Sequence, residues 1–121
     1  MTDVELADGG PEQLQVAFPA TPTFTRIGRV AVVGLALRLG HDVATVEKLR
    51  SAVDEAVAAL QGPGRIGVRA SWTDDDLTVT LTNPDADVDE PAELTARLVE
   101  LIDVSSVDRT SVQLTLDAPT G

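Results

Sequence analysis

A chain of 121 residues with 43% apolar side chains suits a single folded domain with a substantial core, and excludes an intrinsically disordered polymer. Its net charge of −11 disfavours nucleic acid and anionic membrane surfaces as partners. Its aromatic residues are only Phe18, Phe24 and Trp72, too few for a base-stacking module, and the absence of cysteine removes any disulfide framework or thiolate metal site.

The opening MTDVELADGG is polar and acidic and has no apolar signal-peptide segment, so residues 1–11 are expected to form a flexible arm. No apolar run approaches the roughly 18 residues that span a bilayer, and the expected location is cytoplasmic. Leu14, Val16 and Phe18 alternate with polar or small residues and predict a strand, ended by Pro19 and Pro22. A helix is predicted from about Thr23 to Leu39, with Gly40 just past its end. Ile27, Val30, Ala31, Gly34, Leu35 and Leu37 are read as its apolar side. Gly28 and Gly34 each cost about 1 kcal/mol in a helix interior, and close packing against a neighbour would account for them.

Asp42 is placed to cap a second helix in which Val43, Val46, Leu49, Val53, Ala56, Val57 and Leu60 recur at spacings of three and four. Glu55 and Ala59 fall together on the flank of that face, and residues 61–64 stop the helix. A hairpin follows. Ile66, Val68, Ala70 and Trp72 alternate in one strand, Leu77, Val79 and Leu81 in the next, with residues 73–76 as the loop. Residues 83–91 form an acidic loop, Pro91 opens a third helix carrying Leu94, Leu98, Leu101 and Ile102, and Val112, Leu114 and Leu116 mark a last strand. The order β-α-α-β-β-α-β predicts a two-layer α+β sandwich, a mostly antiparallel sheet with helices on one face, built from a single domain over residues 12–118.

Charge is unevenly spread. Residues 21–50 carry Arg26, Arg29, Arg38, Lys48 and Arg50 against Asp42 and Glu47, a net +3, whereas residues 51–121 carry a net −10. Arg26 and Arg29, both expected to face solvent, are the candidate partner-binding residues within this basic island. His41 has no histidine partner and reads as a loop residue. Asp85, Asp87 and Asp89 copy the first three ligand positions of a calcium-binding loop, but Glu90 stands where that loop needs glycine and Ala96 where it needs glutamate, so no metal is expected there. The acidic run Asp74, Asp75, Asp76 reads as a solvated turn. Gly62-Pro63-Gly64 is not a phosphate loop, since no Gly-Lys-Ser/Thr follows.

The element order, the Phe18-Pro19-Ala20 strand end, the arginine-bearing first helix, Leu39-Gly40 and the run from Leu49 to Ala56 resemble the anti-sigma regulatory kinases. These belong to the Bergerat ATPases shared with histidine kinases and Hsp90. The run fits that family's L-x-x-A-V-x-E-A pattern, and the similarity covers about residues 12–118. It implies a histidine kinase/Hsp90-like ATPase fold and a role in regulating bacterial transcription, with a sigma factor or its antagonist as partner. Glu55 then stands at the position of the catalytic glutamate and Ala59 at that of the magnesium-binding asparagine. Asn83 occupies the place of the aspartate that binds the adenine amine, and Asp85 that of a glycine.

A methyl group cannot replace an oxygen ligand in an octahedral magnesium shell, which calls for oxygens at about 2.0–2.1 Å. No glycine occurs from Val68 through Thr120, so the phosphate-cradling lid is missing, and the acidic residues 85–93 would repel a triphosphate. The expectation is therefore a pseudokinase: no catalytic residue beyond the relic Glu55, no metal at Ala59, Asn83 as a remnant of the adenine site, and no cofactor. The alternatives are a divergent ATP- and Mg-dependent serine/threonine kinase using Glu55 and Asn83, or an unrelated α+β interaction module, with a homodimer as the alternative assembly.

Overall fold

The structure, a computed structural model, describes residues 12–119; the arm read at residues 1–11 lies outside them. Strand β1 (Glu12–Pro19) leads through a short 3-10 turn (Pro22–Phe24) into α1 (Thr25–Arg38) and α2 (Val43–Ala59). The hairpin β2 (Arg65–Trp72) and β3 (Asp76–Thr82) follows, then α3 (Pro91–Leu98), β4 (Val104–Val107) and β5 (Ser111–Asp117). The five strands form one antiparallel sheet in the order β1-β2-β3-β5-β4.

Alternation decides which side of the sheet is dry. Val16, Val68, Leu81, Val112 and Val107 pair across all five strands, and the next register row holds Leu14, Ala70, Val79, Leu114 and Ser105. These rows share one face, and their apolar members join the buried side chains of α1, α2 and α3 in a single core. The opposite face carries Gln15, Arg69, Thr80, Gln113 and Ser106 in register. The core is aliphatic apart from Phe18. Burying each leucine, isoleucine or valine fully contributes about 1.5–3 kcal/mol against leaving it in water.

Local chemistry sets the helix ends. The Asp42 carboxylate accepts from the Thr45 N–H at 2.8 Å, capping α2. At the end of α1 the Gly40 N–H donates to Leu37 O and the His41 N–H to Ala36 O, each at 3.1 Å. Gly40 takes φ +94°, so this is a Schellman closure in which glycine relieves the left-handed strain.

Two elements depart from the sequence reading. Strand β4 was not predicted: its Val-Ser-Ser-Val carries serines at both central positions, and an edge strand need bury only one side. Helix α3 ends at Leu98, and Leu101 and Ile102 lie in a tight turn after it, both N–H groups donating to Leu98 O.

The largest correction concerns α1. The side read as core points inward only in part: Leu35 packs against the core and Ala31 is half-buried, but Ile27 is 39% exposed, Val30 61% and Leu37 52%. The buried side is Gly28, Val32 and Ala36, at a spacing of four. A Cβ on Gly28 would lie 3.1 Å from the Phe18 ring and 3.6 Å from Val57 Cγ2, so the missing side chain lets α1 sit close over β1 and α2. Gly34 has open space around it, and close packing does not account for it. Val43, read as part of the buried face of α2, is likewise exposed, whereas the other six residues named for that face are buried.

Candidate functional site

Two surfaces carry the candidate residues: the ends of α2 and β3, and the outer side of α1. Glu55 and Ala59 sit together on α2 as their spacing requires, both half-buried, with Ala59 packed against the core. The Glu55 carboxylate forms an ion pair with Arg97 Nε of α3 at 3.4 Å. Its charge is thus directed across the α2–α3 junction.

Asn83 is fully buried at the end of β3. Its side-chain amide donates to Leu60 O at 2.8 Å and to Pro63 O at 3.1 Å, and its side-chain oxygen accepts the Asp85 N–H at 3.0 Å. Its backbone N–H donates to Thr110 O and its carbonyl accepts from Ala86 N–H. The group that the resemblance assigns to adenine is therefore engaged with the chain's own backbone, joining the end of α2 to the loop after β3. Gly64 completes this clamp at φ +87°. A Cβ there would collide with the Asp85 carboxylate and approach Asn83 Oδ1 to 3.0 Å.

The loop beyond is acidic, and only part of its charge is compensated. Asp87 pairs with Arg109 at 2.9 Å. Glu90 is held above the usual carboxylate range, first by a hydrogen bond with Glu93, then by partial desolvation and by the charge of Asp89. Among the described residues no group of three or more His, Cys, Asp and Glu side chains could hold a metal ion.

The α1 surface is of a different kind. Ile27, Val30, Gly34 and Leu37 follow a spacing of three, four and three, which at about 100° per residue aligns them in one stripe opposite Gly28, Val32 and Ala36. Phe24, 37% exposed, precedes that stripe. The helix contains no acidic residue.

The two arginines named from sequence part company here. Arg26 is exposed and has no ion pair among the described residues. Arg29, expected to face solvent, is half-buried and directs Nη1 to Asp54 of α2 at 3.4 Å, tying the two helices together. Arg38, at the other end of α1, is exposed and likewise unpaired among the described residues. The sequence reading named these apolar residues but turned them inward, because α1 carries apolar side chains on both sides.

His41 follows α1. It is 7% exposed, and its Nε2 has no hydrogen-bond partner among the described residues. Burial pushes its pKa below 6.5, and the adjacent Asp42 carboxylate partly opposes that shift.

No protein-family model matches the chain, and no curated protein matches its sequence. Among the described residues no helix is long and apolar enough to cross a membrane.

Proposed function

We propose that this chain is a non-catalytic regulatory protein-binding module, resembling an anti-sigma factor, built on a degenerate histidine kinase/Hsp90-like ATPase fold arranged as a two-layer sandwich. The carrying observation is α1: a surface helix that leaves Ile27, Val30 and Leu37 exposed opposite its buried side. An amphipathic surface helix turns polar side chains outward, and one that is apolar all round finds burial on both sides. The partner is a regulatory protein such as a sigma factor or an anti-sigma antagonist, met in the cytoplasm.

The engagement of Asn83 with Leu60 and Pro63, together with Ala59 at the magnesium-ligand position, supports a site that has lost its nucleotide chemistry. Complex formation with a sigma factor or antagonist from the same genome tests the reading, by calorimetry with and without Mg-ATP. Equal affinity in both conditions is expected. A complex that needs ATP, or phosphate transfer to the antagonist, would favour the kinase alternative.

A further inference from the structure

We propose that the outer stripe of α1 is the docking site for an acidic amphipathic helix of another protein. The partner's apolar row would lie along Ile27, Val30, Gly34 and Leu37, and its carboxylates would meet Arg26 and Arg38. This rests on the protein-binding reading above and adds where the partner sits and what chemistry it carries.

The stripe is continuous over the helix. From Ile27 to Leu37, at 1.5 Å per residue, it runs about 15 Å, enough for about three turns of a partner. Gly34 lies in the middle of the stripe with nothing within 4 Å of where a Cβ would be, so a facing side chain can approach the backbone there. The arginines bracket the stripe. By helical position Arg26 falls on one flank near the start and Arg38 on the other at the end. Arg29, the third cation of the helix, is already occupied by Asp54.

Charge selects among occupants. A second copy docking by its own α1 would bring Arg26 and Arg38 of both helices to one interface, four cations with no acid on either helix to offset them. A basic helix would meet the same repulsion. A helix with an apolar row and flanking glutamates or aspartates satisfies both the stripe and the two arginines unpaired among the described residues, in the helix-on-helix mode in which i, i+3, i+4 and i+7 residues are the anchors.

The test uses two synthetic helical peptides of about 18 residues, long enough to form a helix on binding. Both carry leucines at spacings of three and four; one has glutamate flanks and the other lysine flanks. Calorimetry with the full chain is expected to show the glutamate peptide bound at least about tenfold more tightly at low salt, the gap closing as salt rises. Arg26→Glu with Arg38→Glu should reverse the preference. Val30→Gln with Leu37→Gln should weaken both peptides about tenfold, with an unchanged melting temperature showing that the fold is intact.

Equal affinity for the two peptides would overturn the proposal. A wild-type dimer that Val30→Gln with Leu37→Gln splits into monomers would overturn it in favour of a second copy. Undiminished binding of the glutamate peptide by both double variants would move the docking surface elsewhere while leaving the protein-binding reading standing. Micromolar Mg-ATP binding would remove that reading itself.

Discussion

The side-chain amide of Asn83 donates to the carbonyl of Leu60 at 2.8 Å, closing the last turn of α2 onto the end of β3. A second bond from the same nitrogen reaches Pro63 O at 3.1 Å, so one buried amide satisfies two carbonyls at the end of a helix, where intrahelical partners run out. This makes Asn83 a structural clamp.

Asn83→Ala should therefore destabilise the fold by roughly 2–3 kcal/mol, because it leaves those carbonyls unsatisfied. Asn83→Asp, which restores the residue type the resemblance would place there, should do worse at neutral pH: a carboxylate would face two carbonyl oxygens. Urea unfolding at pH 7 checks both. An Asn83→Asp variant as stable as the wild type would show that the clamp matters little.

Arg26 and Arg29 should respond differently to charge reversal. Arg29→Glu breaks the pair with Asp54 and sets two carboxylates together, at a cost of roughly 0.5–1 kcal/mol for a half-exposed site. Arg26→Glu removes no ion pair among the described residues and should leave stability within about 0.5 kcal/mol. Parallel denaturation curves distinguish the two.

His41 sets a pH limit. Its folded pKa is lowered by burial, so the unfolded chain binds the proton more readily and the stabilisation belongs to the neutral form. That stabilisation is fully present above the unfolded pKa of about 6.5 and is lost as pH falls through the lower folded value. His41 is the only histidine of the chain. The unfolding midpoint should fall between pH 7.5 and about pH 5, and His41→Gln should flatten that slope.

Glu90 works in the opposite direction. Its folded pKa is raised by the hydrogen bond with Glu93, so its contribution is present below the unfolded pKa and lost as pH rises through the folded one. Glu90→Gln keeps a donor for Glu93 and removes a charge from the acidic loop. The variant should be more stable than the wild type at pH 7, with the advantage vanishing below about pH 4. Thermal melts at the two pH values read this directly.

Much of the fold was legible because it rests on local rules. The period-two rows of β2, β3 and β5 fixed which side chains are inside, and Asp42 capped α2 where its position before the apolar run required. Strand β4 was illegible because Val104 and Val107 are three apart and the serines between them carry no strand signal. The face of α1 was misread for a deeper reason. With apolar residues all round, periodicity cannot choose a side, and Gly28 fits against Phe18 only by virtue of the side chain it lacks. At the candidate site, sequence placed Glu55 and Ala59 together correctly. It could not foresee that Asn83 would be held by Leu60 and Pro63, or that Arg29 would bind Asp54, since these relationships span twenty residues or more.

The central proposal, that the chain has no nucleotide chemistry, is tested most directly by calorimetric titration of Mg-ATP into the wild type and into Ala59→Asn. Placing asparagine where the resemblance expects a metal ligand leaves the acidic loop, the absence of glycine from Val68 through Thr120 and the internally bonded Asn83 unchanged. The account predicts no saturable binding below about 1 mM for either protein, a limit of roughly 4 kcal/mol. Stoichiometric micromolar binding by the wild type would contradict it outright, and binding by Ala59→Asn alone would show that one lost ligand, rather than the whole site, separates this chain from an ATPase.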